Sequence, residues 1–239
     1  MKRRIALSLA VLIGSTILMA QYGGEKSNTV GAAGSTVALD NATSSGFGCA
    51  SGTSCSTTFV VGSGTNRALA VGCSFSADAV SAISVTYNSV SVPLVSGTDT
   101  TGSSESGART MVFALAAPAS GSHTIAVSWT TASVISCGAV SVTGADQTTP
   151  MNNGNKASAN NTTSGALTVT STNGDLAFAV VGCPGNTFSA PTQTEKWNLK
   201  QSFTVTNEGQ IGPGTGTTAF GITVSSNGWN YSGANFKHA

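Results

Sequence analysis

Apolar and polar residues alternate along most of this chain, in short runs bounded by turn-forming residues. Arg67 to Phe75 places Leu69, Val71, Cys73 and Phe75 on one face. Ala82 to Tyr87 does the same with Ile83, Val85 and Tyr87, and Asn88-Ser89 then turns the chain into VSVPLV. Arg109 to Leu115 aligns Met111, Phe113 and Leu115. His123 to Trp129 aligns His123, Ile125, Val127 and Trp129. Further strands are predicted at Ile135 to Thr143, Ala166 to Thr170, Leu176 to Cys183, Phe203 to Thr206, Thr217 to Val224 and Trp229 to Phe236, with a polar Asn/Ser/Thr loop before Ala166. A period of two is the mark of a half-buried strand. Beyond the first twenty residues no segment sustains an i, i+3, i+4, i+7 pattern, so helix is a minor component. The expected fold is all-β: an antiparallel two-sheet β-sandwich, jelly-roll-like, over residues 36–239, with alternate residues inside and the others in water.

The N-terminus breaks this pattern. Lys2, Arg3 and Arg4 precede an uncharged apolar run, Ile5 to Met19, and Ala20. That is the layout of a secretory signal helix over residues 1–20. If it stays uncleaved, it is the expected point of membrane attachment. Residues 21–35 are rich in Gly, Ser and Asn and read as a flexible lead-in. A secreted or cell-surface location follows as the expectation.

Charge narrows the partners. Charged residues are 8% of the chain, against about 25% in typical domains. Without residues 1–20 there remain seven basic and nine acidic side chains, a net charge of −2. No basic patch is present, so nucleic acid is not an expected partner. The exterior must be built from Ser, Thr, Asn and Gly.

Five cysteines suit an exported chain. Cys49 and Cys55 enclose a short loop and are one candidate disulfide. Cys73 and Cys183 end the similar strands RALAVGC and LAFAVVGC, and are a second candidate if those strands are neighbours. Cys137 would then be the odd thiol, buried as a small hydrophobe.

The phrases GTNRALAVGCSF, AISVTYNSVSVPLV, VFALAAPASGSHTIAVSW, GAVSVTGADQTTP and WNYSGANFK stand in order along the chain. Together they resemble a group of bacterial secreted and cell-surface β-sandwich domains. That group shares an NRxLxVG strand, a VTYxxV hairpin and a GAVSxxGxDQTTP corner. The resemblance covers most of residues 36–237 and implies a secreted module. It implies no activity and supplies no catalytic residues.

No catalytic constellation stands out. The acids show no paired spacing of the kind a glycosidase uses, no GxSxG elbow is present, and the two histidines are isolated. A secreted glycan-active hydrolase is therefore the weakest of three functional readings. The leading one is a non-catalytic binding or adhesion domain for an extracellular glycan or cell-surface polymer. Its candidate contacts are Trp197 with Glu195 and Asn198, and Trp229 with Tyr231, because aromatic faces stack on sugar rings. The third is self-assembly as a structural subunit of a surface layer or filament. No cofactor is expected; Asp40, Asp99 and Asp146 are candidate calcium ligands. Asp146 is expected above all to turn the chain after its strand.

Overall fold

The computed structural model describes residues 36–76, 79–101, 108–185, 187–201 and 205–239. The expected signal segment and lead-in, and three of the acids, Glu25, Asp78 and Glu105, lie outside them. No described residue is helical. The strands are β1 (Ala38–Ala42), β2 (Phe47–Cys49), β3 (Ser54–Val61), β4 (Ala68–Phe75), β5 (Ser84–Tyr87), β6 (Val90–Ser91), β7 (Arg109–Ala116), β8 (Gly121–Ser128), β9 (Ile135–Thr143), β10 (Met151–Thr170), β11 (Leu176–Cys183), β12 (Phe188–Ser189), β13 (Thr194–Gln201), β14 (Val205–Pro213) and β15 (Thr217–Phe236). Every pairing is antiparallel.

These strands form three sheets rather than the expected two. The first has the order β3-β8-β5-β6, the second β1-β9-β4-β7 with β2 beside β9, and the third β10-β15-β11-β14-β13 with β12 beside β15. The second sheet is the middle layer. One face carries Leu69, Val71, Cys73, Phe75, Phe113 and Ile135 against Phe59, Val85, Tyr87, Ile125 and Val127 of the first sheet. The other carries Ala68, Ala70, Val112, Val140 and Val142 against Phe178, Val180, Trp197, Ile211 and Phe236 of the third. All of β4 is therefore buried, and nearly all of β9. The expectation that every second side chain meets water fails on these strands. Its sign in the sequence was RALAVGCSF, where both parities are apolar or small, as in a strand covered on both faces.

Small residues let the layers approach. Gly72 of β4 lies opposite Gly138 of β9. A Cβ built on Gly72 would stand 2.0 Å from Val180 Cγ1, and one on Gly138 would stand 2.1 Å from the Trp197 ring. Glycine is required here by the close approach of the third sheet.

The third sheet curls into a nearly closed barrel. Strands β10 and β15 pair along their length, but the register breaks between Ala159 and Ser164. There the ribbon bends, so its two halves lie on different walls. One half of β15 pairs with β11 over 230–236, while β12 pairs with Val224 and Thr223 of the other half. Within β10, Asn153 Nδ2 donates to Thr170 O at 3.1 Å and Asn155 Nδ2 to Thr168 O at 2.8 Å, so side-chain amides join the two halves. Opposite, Thr192 N donates to Gly221 O at 3.0 Å and Gln193 Nε2 to Ala219 O at 2.8 Å. The interior holds Leu167, Val169, Ala179, Val181, Phe220, Ile222 and Trp229. The Asn-rich segment before Ala166, expected as a loop, is thus strand. Its ladder bonds come from β15 and do not require apolar side chains of its own.

Cys49 and Cys55 are bridged, as expected. The second bridge is Cys73–Cys137, not Cys73–Cys183. Cys73 and Cys137 lie directly opposite each other on β4 and β9. Cys183 ends β11 in a different sheet, is buried in the barrel, and belongs to neither bridge. The two similar strands pack across layers but lie in different sheets, so they do not pair.

Candidate functional site

The barrel interior contains a polar cluster that sequence reading missed. Strand β14 reads VTNEGQIGP, and its alternation sends Asn207, Gly209 and Ile211 toward the middle sheet and Glu208 and Gln210 into the barrel. Glu208, Gln210 and Tyr231 are fully buried. Gln210 Nε2 donates to Glu208 Oε1 at 2.8 Å, to the Tyr231 hydroxyl at 3.0 Å and to Gly221 O at 3.3 Å. Asn198 Nδ2 donates to Glu208 Oε2 at 3.3 Å and to Glu195 Oε2 at 3.2 Å. Burial, then the charge of Glu195, push the Glu208 carboxyl up to about 8, against the lowering effect of Gln210. Burial and the Glu208 charge also push the Tyr231 phenol upward.

Three candidate contacts thus meet: Glu195, Asn198 and Tyr231 surround Glu208, and Trp229 packs edge-on against Tyr231 at 5.8 Å. Glu195 and Asn198 stand exposed on the outer side of this cluster, while the aromatic pair lies inside the barrel, so the four do not form a sugar platform. Trp229 and Tyr231 are buried. Trp197, expected to be exposed, is 1% exposed. Its ring lies between Gly138 and Gly209, and its Nε1 donates to Asn207 Oδ1 at 2.5 Å. A strand whose other face supplies Glu195 and Asn198 reads as polar; nothing in its sequence announces the sheet covering its apolar face.

Two carboxyls hydrogen-bonded through one amide invite a glycosidase reading, since the shared nitrogen bounds their facing oxygens at about 6.5 Å, within the range such enzymes use. Access decides against it. Glu208 is 0% exposed, and no cavity opens among the described residues.

The calcium candidates occupy separate places, each with protein donors. Asp40 accepts from Gly62 N at 2.7 Å and Ser141 Oγ at 2.7 Å. Asp99 pairs with Arg109 at 2.7 Å; burial opposes its ionisation, but hydrogen bonds from Arg109 and Thr101 outweigh that and hold it at about 2. Asp146 Oδ1 accepts from Thr148 N and Thr149 N, both at 2.8 Å, and Oδ2 from Lys237 at 2.9 Å. These bonds, the Thr149 amide first, hold it at about 2. Among the described residues no three acidic, histidine or cysteine side chains gather as a metal group would. Asp146 turns the corner after β9. Asp146→Asn keeps one acceptor oxygen there, so we expect a thermal midpoint close to wild type at neutral pH, read by circular dichroism.

A second feature lies on the outside. The solvent face of the first sheet is a ladder mostly of small hydroxyl side chains, interrupted by Ala126 and Val60. Its rows are Ser54–Ser128–Ser84, Ser56–Ala126–Thr86–Ser91, Thr58–Thr124 and Val60–Ser122. Most are exposed, and none of these residues is ionisable. Rows of this kind repeat at about 4.8 Å across strands and about 6.8 Å along them. The charged side chains Lys156, Glu195, Lys196 and Lys200 belong to β10 and β13, and Lys237 follows β15.

No family model, curated protein or solved structure matches this chain.

Proposed function

We propose that the chain is an extracellular, non-catalytic adhesion module that holds a neutral glycan polymer against the outer face of the β3-β8-β5-β6 sheet. The observation that carries this reading is the uncharged hydroxyl ladder. Ser and Thr hydroxyls donate and accept, as sugar hydroxyls do, and an uncharged face demands no counter-ion from its ligand. With the candidate aromatics buried, hydroxyl contacts take the place of ring stacking. Two disulfides favour an oxidising compartment, in keeping with the secretory layout of residues 1–20 and the resemblance to bacterial secreted modules. We read the first two sheets as the sandwich and the third as an added barrel that braces it.

The test is retention on insoluble neutral polysaccharides, cellulose, chitin and mannan, with Thr58→Lys and Ser128→Lys placed on separate rows. Each lysine brings a strongly hydrated charge onto the contact face. Retention on at least one polymer is expected to fall about tenfold, the equivalent of about 1.4 kcal/mol, with an unchanged thermal midpoint. Equal retention of wild type and both variants, or none by the wild type, removes the proposal. A shift to larger species on size exclusion that both lysines abolish would favour self-assembly through the same face.

A further inference from the structure

Glu208 is fully buried in the barrel, and its carboxyl is held by two uncharged amides, Gln210 and Asn198. Gln210 also closes the barrel. Its Nε2 reaches Gly221 O on one half of β15 and the Tyr231 hydroxyl on the other, while its Oε1 accepts from Gln193 N at 3.3 Å, on the approach to β13. An amide nitrogen has two hydrogens, and this one has three acceptors within reach. The protonation state of Glu208 decides how they are shared.

We propose that Glu208 is a proton-controlled latch on the barrel, protonated when the wall between β13 and the bent half of β15 is closed, and ionised when that wall loosens. A neutral carboxyl makes a modest claim on the Gln210 amide and leaves Gly221 and Tyr231 their share. A buried carboxylate binds such donors more strongly and, lacking a cation, also draws in water. The bond to Gly221 O then weakens, and with it the neighbouring closure of Thr192 and Gln193 on β15.

Other groups face Glu208 from each element around it. From β13 comes Glu195, whose charge opposes ionisation; Lys196 and Lys200 lie on the same strand. From β15 comes Tyr231, which burial keeps neutral. From β11 comes the Cys183 thiol, on the barrel face two residues beyond Val181, which pairs with Glu208. Phe188 of β12, Leu167 of β10, and Phe220 and Ile222 of β15 are apolar. Asp99, Asp146 and Asp175, held at about 2, titrate well below this range.

The sign follows from proton linkage. Glu208 binds its proton more tightly in the folded chain, about 8 against 4.5 when unfolded. Its contribution to stability is complete below about pH 4.5 and declines until pH passes about 8.

The experiment compares wild type with Glu208→Gln between about pH 5 and about pH 9, by thermal unfolding and by hydrogen exchange at the Thr192 and Gln193 amides. In the wild type, exchange at these two amides should rise across the range by about tenfold more than in the glutamine variant at the same pH, and the thermal midpoint should fall. The variant, neutral at this position throughout, should show a smaller fall in midpoint than the wild type. Parallel behaviour of the two proteins overturns the proposal. Should Glu208→Gln not fold, Glu195→Gln decides. Removing that charge must move the wild-type transition to lower pH, and an unmoved transition overturns the latch.

Discussion

Trp197→Ala is expected to lower the unfolding free energy by about 3–5 kcal/mol, the cost of emptying a large buried site. The indole is the widest object between the middle sheet and the barrel. It packs on Phe178 with ring centroids 5.9 Å apart. Two glycines make its slot: a Cβ on Gly138 would stand 2.1 Å from the ring, and one on Gly209 2.3 Å. Backbone pairings hold both glycines in place, so the cavity left by alanine cannot collapse onto them. The substitution also deprives Asn207 Oδ1 of its Nε1 donor, while Asn207 Nδ2 stays tied to Ser74 Oγ at 2.7 Å. An abandoned buried acceptor adds about 1–3 kcal/mol. Since domains of this size are stable by about 5–15 kcal/mol, the variant should unfold at a far lower urea midpoint, read by tryptophan fluorescence and circular dichroism. A Trp197→Ala protein with wild-type stability would mean that the indole is not between the layers.

The second large effect comes from the Cys73–Cys137 bridge. It spans a sequence separation of 64 and joins the two central strands of the middle sheet. The loop-closure relation gives about 4 kcal/mol for a crosslink of that span. For Cys49–Cys55, with a separation of 6, it gives about 2 kcal/mol. Cys73→Ala with Cys137→Ala should therefore cost nearly twice as much as removing the shorter bridge. Cys183→Ala takes away no crosslink, and should cost less than losing the Cys73–Cys137 bridge. Denaturant midpoints of the three variants give the ranking. Peptide mapping without reduction gives the connectivity, and a Cys73–Cys183 peptide would contradict the separation of β4 from β11 into different sheets.

Both effects trace to contacts between sheets, and there the sequence is least informative. The period of two along Ile83, Val85 and Tyr87, or Ile125 and Val127, places these residues on strands because alternation is a local property of the backbone. The Asp146 corner is legible for the same reason: an Asp before Gln-Thr-Thr-Pro bonds amides two and three residues away. Trp197 is different. Its strand carries charges on the opposite face, so its neighbours suggest an exposed edge, and its burial depends on Gly138, far off in the chain. Glu208 was equally hidden. An acid in VTNEGQIGP resembles a turn until β11, β13 and β15 enclose it.

The all-β, antiparallel character, the Cys49–Cys55 loop and the low charge of the exterior are local or compositional, so residue order settles them without reference to the fold. The number of sheets, the partner of Cys73, the burial of Trp197, the bend that halves β10 and β15, and the acid enclosed with neutral amides are all matters of which strands meet across layers. Pairing between distant segments is set by the joint fit of surfaces, small residues against an indole or alanines against valines, and no single stretch of chain contains that information.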